Sequence, residues 1–235
     1  MLYFMRKFSS KLLTRHLAKE IGVAFAVISG VGAILLAVFV KYHPTDWMDI
    51  FISGEVQEES GRGFLNIMRA VSFFGTPYIA ICVAVVVAGI FFLFSYRREA
   101  FFIFLTPLSG MVSGLMKIVV DRPRPTTALV TVYQALTDPS YPSGHVVYYV
   151  VFFGFLIATM FVIKKAPVVL RLSVVVISAM LIALVSVSRV YLGVHWATDV
   201  LGGYFTGYVL LFVFVSLYFR NLDAARYEPS PAEVL

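Results

Sequence analysis

The sequence is short of charge and almost free of cysteine. Only 14% of its 235 residues are charged, against 60% that are hydrophobic, and the mean hydropathy is +0.89. These proportions exclude an ordinary soluble domain and indicate a protein whose solvent is the lipid bilayer. The single cysteine, Cys82, lies in an apolar run, so the sequence excludes disulfides within the chain and a thiolate metal site.

The sequence also lacks any module in which basic and aromatic residues alternate for nucleic-acid recognition. Its formal charge of +6 is better explained by lysines and arginines that flank membrane spans and meet anionic lipid head groups. We therefore expect the lipid bilayer as a partner and no nucleic acid.

Long apolar runs predict an all-α fold, a polytopic membrane protein with six transmembrane helices in one domain over residues 1–235. Each run approaches the roughly 20 residues that a helix needs to cross a bilayer. The predicted spans are Ile21–Val40, Tyr78–Tyr96, Phe101–Val120, His145–Ile163, Leu172–Val187 and Trp196–Phe219. Residues 1–19 interleave cations with leucines and predict an interfacial segment, 41–76 predict a polar outer loop, and 220–235 predict a flexible cytoplasmic tail.

The distribution of cations predicts the orientation of these spans. Six spans place both termini on one side, where the N-terminus, two inter-span turns and the C-terminal tail are rich in lysine and arginine. By the positive-inside rule this side is cytoplasmic, in a plasma or inner membrane. The loop after the third span breaks the rule, because it carries Lys117, Arg122 and Arg124 on the periplasmic or extracellular side. Charged groups that defy the rule at a membrane surface are candidates for function.

Three polar clusters occur at helix ends that the topology places on the outer face. They are Lys117-Ile-Val-Val-Asp-Arg-Pro-Arg-Pro125, Tyr141-Pro-Ser-Gly-His145 and Ser188-Arg-Val-Tyr-Leu-Gly-Val-His-Trp-Ala-Thr-Asp199. Between the second and third clusters lie two spans of about 20 residues and a turn, which return the chain to the same face. A single site at the outer ends of the helices is therefore geometrically available.

The third cluster favours an anionic phosphate ligand. If the chain is helical from about Gly193, His195 and Asp199 lie at positions i and i+4 on one face, where the carboxylate orients the imidazole. Arg189 adds a permanently charged, planar fork beside that imidazole, which suits a phosphate better than a neutral substrate.

The first two clusters supply further groups for an anion. Ser143 is a suitable N-cap for the fourth span, and Gly144 lets a ligand approach the positive end of that helix. Lys117 and Arg124 are seven residues apart, but the prolines on either side of Arg124 end the helix before it. We therefore expect Arg124 to curl back toward the site from a loop.

In chain order the three clusters read K-x6-R-P, P-S-G-H and S-R-x5-H-x3-D. This three-part signature resembles that of the type-2 phosphatidic acid phosphatase superfamily. Six spans with these motifs on the outer face resemble the integral membrane lipid phosphatase branch of that superfamily. The spacing from Lys117 selects Arg124 as the motif arginine and leaves open whether Arg122 shares its role.

The resemblance implies a lipid phosphate phosphatase that needs neither metal nor cofactor and forms a phosphohistidine. His195 would attack phosphorus, Asp199 would fix the tautomer of His195, and His145 would protonate the leaving oxygen. The residues implied to bind phosphate are Lys117, Arg124, Ser143, Gly144 and Arg189. The substrate is left open among phosphatidic acid, phosphatidylglycerol phosphate, an isoprenyl diphosphate and lipid A phosphate, and so is the oligomeric state.

Two other functions remain open from the sequence. His145, His195 and Asp199 could form a metal-binding triad, although the cations around them would repel a divalent ion. The chain could instead be a non-catalytic lipid-binding or transport homologue. Against this, its spans contain no charged residue at mid-membrane and no broken helix pair of the kind that transport sites use.

Glycines spaced four residues apart predict where helices approach closely. Such pairs occur at Gly110 and Gly114 and at Gly203 and Gly207. Because a glycine has no side chain, we expect each pair to lie against a neighbouring helix.

Overall fold

The structure of this chain consists of helices joined by loops. It is a computed structural model that describes the backbone of residues 2–58 and 61–226, with side chains for 19–58 and 61–220. Those residues form nine α-helices and one 3₁₀ turn and contain no strand. The helices are α1 (Leu2–Tyr42), α2 (Trp47–Gln57), α3 (Arg62–Phe73), α4 (Pro77–Leu93), α5 (Arg97–Leu105), α6 (Ser109–Val120), α7 (Gly144–Val162), α8 (Val168–Tyr191) and α9 (Ala197–Arg226), and the 3₁₀ turn is Thr106–Leu108.

Five helical segments are long and apolar enough to cross a membrane, and a sixth is available if the bent pair α3 and α4 counts as one span. The five are Lys19–Tyr42, Arg97–Val120, Gly144–Val162, Val168–Tyr191 and Ala197–Arg220. The predicted all-α membrane fold is thereby confirmed. Its third span is built from α5, the 3₁₀ turn and α6, and Pro107, which has no N–H to donate, lies at the interruption.

The second predicted span, Tyr78–Tyr96, is the least regular. α4 has 17 residues and meets α3 at an angle of 62° across a short break. The sequence predicts no broken helix pair, and that prediction is wrong. Gly75 in the turn and Pro77 at the start of α4 favour a break here, and the three residues between the helices carry no charge.

Residues 41–76, predicted to be a polar loop, contain the whole of α2 and α3, so that prediction is wrong. α2 is capped by Asp46, whose Oδ1 accepts a hydrogen bond from the Met48 N–H at 2.9 Å. α3 packs one face against the rest of the protein, and Met68 and Val71 are buried on that face. Both helices are shorter than a membrane span, so a search for long apolar runs does not detect them.

Both ends of the chain extend as helix beyond the predicted spans. α1 runs unbroken through the predicted interfacial segment, but residue 1 and the side chains of residues 2–18 lie outside the description. α9 continues to Arg226, past the predicted end of the sixth span at Phe219. The remainder of the predicted tail, residues 227–235, lies outside the described residues.

α7 is the central helix of the bundle. Of its most apolar 18-residue window 67% is buried, against at most 28% for the other spans. It packs against α5, α6, α8 and α9. The other spans expose many leucine, valine and phenylalanine side chains, as expected of helices surrounded by lipid.

Two glycines bring α9 against α7. A methyl group built at Gly203 or Gly207 would lie 2.9 Å or 2.8 Å from valine side chains of α7, so the predicted close packing is confirmed for this pair. A methyl group at Gly110 or Gly114 would meet no atom within 4 Å among the described residues. The prediction of close packing within the chain is wrong for that pair.

One end of the bundle collects the last residues of α6 and α8 and the first residues of α7 and α9. Here the Ser143 N–H donates a hydrogen bond to the Asp199 carbonyl at 3.0 Å, which joins the start of α7 to the start of α9. The loop of residues 121–143 crosses the turn between α8 and α9 at Gly193, whose φ is +65° and where a side chain would clash with the Thr131 carbonyl. All three polar clusters of the sequence therefore meet at this end.

Candidate active site

His195 and Asp199 form the centre of the site. α9 begins at Ala197, so His195 lies in the turn before the helix, and the expectation of helix from about Gly193 is wrong. The predicted contact still forms, with His195 Nδ1 3.4 Å from Asp199 Oδ2. Asp199 also caps its own helix, because Oδ2 accepts the Trp196 N–H at 2.9 Å. The imidazole is therefore oriented by a carboxylate that the helix start itself holds in place.

Further donors hold the Asp199 carboxylate from other segments. The Ser140 hydroxyl donates to Asp199 Oδ2 and lies 3.5 Å from His195 Nδ1. Arg122 Nη1 donates to Asp199 Oδ1 at 2.6 Å. Both oxygens of Asp199 are therefore engaged, and Asp199 faces the Nδ1 side of the imidazole.

Arg122 is a buried cation with two carboxylate partners. Its Nη2 donates to Asp49 Oδ2 at 2.6 Å, its Nη1 also donates to Thr198 Oγ1 at 2.7 Å, and its Nε donates to the Pro44 carbonyl at 3.0 Å. Every nitrogen of the guanidinium thus has a protein partner. Arg122 therefore supports Asp199 from the side away from the imidazole, through Asp199 Oδ1, while Asp199 Oδ2 faces His195.

Asp49 is a member of the site that sequence reasoning missed. Its Oδ1 accepts the Thr198 N–H at 2.9 Å and its Oδ2 accepts the Thr198 hydroxyl at 2.6 Å. A carboxylate of α2 therefore holds both Arg122 and the first turn of α9. The one usable signal was Arg122 itself, because an arginine buried beside the motif requires a carboxylate partner.

Lys117 and Arg124 lie on the other side of His195 and share a carboxylate. Lys117 Nζ is 2.6 Å from Asp138 Oδ2, and Arg124 Nη2 is 2.9 Å from Asp138 Oδ1. Burial alone would raise the pKa of Asp138, but the hydrogen bond from Lys117 and the charges of Lys117 and Arg124 outweigh it and lower that pKa. Asp138 and its contacts were not anticipated from the sequence.

Arg124 curls back from the loop as predicted. Its Nε donates to the Asp138 carbonyl at 2.7 Å, its Nη1 donates to the Val194 carbonyl, and Nη1 lies 3.4 Å from His195 Nε2. His195 therefore has the carboxylate on its Nδ1 side and a cation on its Nε2 side. Burial, with the charges of Arg189, Arg124 and Lys117, lowers the pKa of His195, so the imidazole stays neutral near pH 7.

The start of α7 brings Ser143, Gly144 and His145 to the site. Ser143 occupies the N-cap position but its hydroxyl makes no capping hydrogen bond, so its predicted capping role is wrong. That buried hydroxyl has no partner among the described residues, and the first amides of α7 lack acceptors within the helix. A methyl group at Gly144 would lie 3.2 Å from Ser113 Oγ, and His145 packs against Gly75.

Arg189 lies near the end of α8 with only 1% of its surface exposed. It donates through Nη1 to the Ser72 hydroxyl of α3, and its Nε has no partner among the described residues. It is close enough to both imidazoles for its charge to act on His145 and His195. The structure thus brings all eight predicted site residues to one end of the bundle.

The arrangement of side chains in this region does not support a metal centre. Within the described residues, no group of three His, Cys, Asp or Glu side chains has the geometry to hold a metal ion. The suggested triad of His145, His195 and Asp199 is therefore not assembled as a ligand set.

Comparison with known proteins identifies the family. A family model described as the PAP2 superfamily matches residues 98–223, more than half of the chain. The chain belongs to the PAP2 superfamily. The matched region contains all three motifs, so the resemblance seen in the sequence is confirmed.

Individual relatives agree with the PAP2 assignment. Phosphatidylglycerophosphatase B of Bacillus subtilis (strain 168) is 29% identical over 159 residues, which cover 63% of this chain and 72% of the relative. The crystal structure of a transmembrane PAP2-type phosphatidylglycerolphosphate phosphatase from Bacillus subtilis matches 83% of this chain and 96% of its own, with a TM-score of 0.70 and 23% identity. The crystal structure of Aquifex aeolicus LpxE matches 73% of this chain and 96% of its own, with a TM-score of 0.55 and 18% identity. Both structures share the fold.

Proposed function

We propose that this multi-pass membrane protein hydrolyses the phosphate ester of a membrane lipid through a phosphohistidine on His195, without a metal ion. Homology with phosphatidylglycerophosphatase B supports the enzyme class, lipid phosphate phosphatase. The observation that carries the mechanism is the two-sided environment of His195. Its Nδ1 faces the Asp199 carboxylate at 3.4 Å, and its Nε2 faces the Arg124 guanidinium at 3.4 Å.

In the first step the lone pair of Nε2 attacks phosphorus. A P–N bond forms, the P–O bond to the lipid breaks, and His145 gives a proton to the departing oxygen. Asp199 accepts the Nδ1–H hydrogen bond and stabilises the positive charge that develops on the imidazole. In the second step water attacks the phosphohistidine, its proton goes to His145, and the P–N bond breaks to release inorganic phosphate.

The cations stabilise the charge on the transferring phosphoryl group. Lys117, Arg124 and Arg189 provide fixed positive charge, while the Ser143 hydroxyl and the Gly144 amide provide donors at the positive end of α7. Because these groups are held by the fold before substrate binds, little reorganisation is needed during the reaction.

The substrate is a phosphate carried at the bilayer surface. The name of the Bacillus relative makes phosphatidylglycerol phosphate the first candidate for this chain, with phosphatidic acid, an isoprenyl diphosphate and lipid A phosphate as the others. The site lies at the ends of apolar helices, where the head group of a lipid in the adjoining leaflet would reach it. The arrangement of cations along the sequence supports a site on the periplasmic or extracellular side, with both termini in the cytoplasm.

Phosphate release from a panel of these four lipids in detergent tests the function. We expect His195→Ala to abolish release and His43→Ala to retain it, because His43 is exposed and lies outside the motifs. A chelator should leave the wild-type rate unchanged. His145→Ala should still accumulate an acid-labile phosphoryl adduct on His195 from a substrate with a good leaving group. An adduct on His145 with none on His195 would reverse the assignment of nucleophile and acid.

A further inference from the structure

Two of the cations at the site, Lys117 and Arg124, are already bridged by an anion of the protein itself. Asp138 places one carboxylate oxygen 2.6 Å from Lys117 Nζ and the other 2.9 Å from Arg124 Nη2. Two oxygens of a phosphoryl group would make the same pair of contacts. The Asp138 carboxylate therefore uses the donors that the proposed reaction requires for its substrate.

Apart from the 3.4 Å contact between Arg124 Nη1 and His195 Nε2, the remaining contacts of these two cations are with the backbone. Lys117 donates to the Pro139 carbonyl, and Arg124 donates to the carbonyls of Asp138 and Val194. Those carbonyls belong to the loop and the turn that form the site, and they hold the cations in position. Among the described residues, the Asp138 carboxylate is the one anionic partner of these cations, and it can leave by rotation about its own bonds. It is 54% exposed, against 13% for Lys117 and 9% for Arg124.

We propose that Asp138 is the resident anion of the phosphate site: it occupies Lys117 and Arg124 when the site is empty, gives way to the substrate phosphate and returns when inorganic phosphate leaves. This inference rests on the proposed function, since it concerns the same phosphate. Without a resident anion, the two cations would face each other uncompensated in a partly buried site. A phosphate monoester displaces the carboxylate because it carries about two negative charges and three acceptor oxygens, compared with one charge and two oxygens.

An intramolecular competitor has a defined effect on binding. A side chain tethered beside its site acts as if present at a millimolar or higher effective concentration, and it weakens every competing anion by the same factor. Because the pair is partly exposed, we expect that factor to be about tenfold. Asp138 therefore raises KM for the lipid and Ki for inorganic phosphate together, and its return speeds product release.

The experiment measures Ki for inorganic phosphate and KM for the lipid on the full chain in detergent, at constant pH and ionic strength. Asp138→Asn and Asp138→Ala are expected to lower both constants about tenfold. Isothermal titration with inorganic phosphate alone should show the same tightening without turnover. Asp138→Glu keeps the negative charge on a longer side chain. Its KM for the lipid and its Ki for inorganic phosphate should lie between those of the wild type and those of Asp138→Asn.

Asp121→Asn is the matched control, because Asp121 is an exposed carboxylate of the same loop whose loss changes the net charge equally. It should leave both constants within about twofold of the wild type. If the wild type hydrolyses lipid and binds phosphate while the Asn and Ala variants bind phosphate no more tightly, the inference is wrong and the proposed function stands. If Asp138→Asn weakens phosphate binding, Asp138 is a positioning residue for the two cations and the inference is equally wrong. If the wild type neither binds phosphate nor hydrolyses any of the lipids, both proposals fail.

Discussion

At the scale of single residues, the proposed nucleophile is kept neutral by its surroundings. Burial and three nearby cations lower the pKa of His195 below its ordinary value of 6.5. A protonated imidazole has no lone pair on Nε2, so activity should fall as the pH drops through this pKa. Because the pKa is lowered, the acid limb of kcat/KM should lie below 6.5. The alkaline limb should make the profile bell-shaped, with both limbs belonging to interacting groups.

Replacement of Asp199 tests the orientation of that imidazole. Asp199→Asn should reduce kcat/KM by about 10² to 10⁴, by analogy with the loss of the correct tautomer when a triad aspartate becomes asparagine. Loss of the carboxylate removes a charge that favours the protonated imidazole, so the acid limb should move to still lower pH. A pH–rate profile of the purified variant beside Asp121→Asn measures both effects. An unchanged rate and profile would contradict a role for the His195–Asp199 contact.

The motif residues could be predicted from the sequence, but their partners could not. His195 and Asp199 are close in sequence, and their contact follows from local spacing. Arg122 contacts Asp49 and Asp199, which are 73 and 77 residues away in the sequence. No local sequence pattern indicates that residues so far apart in the chain are in contact. Asp138 lies among residues that favour turns. Such residues are as common in loops without a function as in functional sites, so they do not single out Asp138.

At the scale of helices, the contact between α7 and α9 sets the spacing of the two motifs that begin them. Gly207→Leu should lower the thermal unfolding midpoint in detergent, because the new side chain would overpack against α7 at a cost of about 1–3 kcal/mol. Gly114→Leu is the matched control, since the same substitution raises helix propensity at a position where no atom of the described residues lies within 4 Å of the added carbon. Equal midpoints for the two variants would contradict the close approach of α7 and α9.

The two helices that the sequence did not predict are short. α2 and α3 have 11 and 12 residues, and charged residues interrupt the apolar pattern of both. A hydropathy search detects apolar segments of about 20 residues, and neither helix is that long. These helices nevertheless carry Asp49 and Ser72, which hold Arg122 and Arg189. The missed elements are therefore the ones that support the site from outside the motifs.

At the scale of the whole molecule, orientation in the membrane decides which lipids reach the site. In a Cys82→Ala background, a cysteine at Thr127 should react with an impermeant thiol reagent in intact cells, and a cysteine at Lys165 should not. Both positions are exposed and lie at opposite ends of the bundle, beside the site and in the turn between α7 and α8. The reverse labelling pattern would place the site in the cytoplasm.

The contacts of Arg122 also imply that the site is completed late in the synthesis of the chain. Its carboxylate partners are 73 residues before it and 77 residues after it, and all three groups are buried. A chain made from the N-terminus has Arg122 and Asp49 long before Asp199 emerges. Asp199, which both orients His195 and is the second partner of the buried arginine, arrives with the last helix. A chain that ends before α9 lacks Asp199, so we expect it not to hydrolyse lipid.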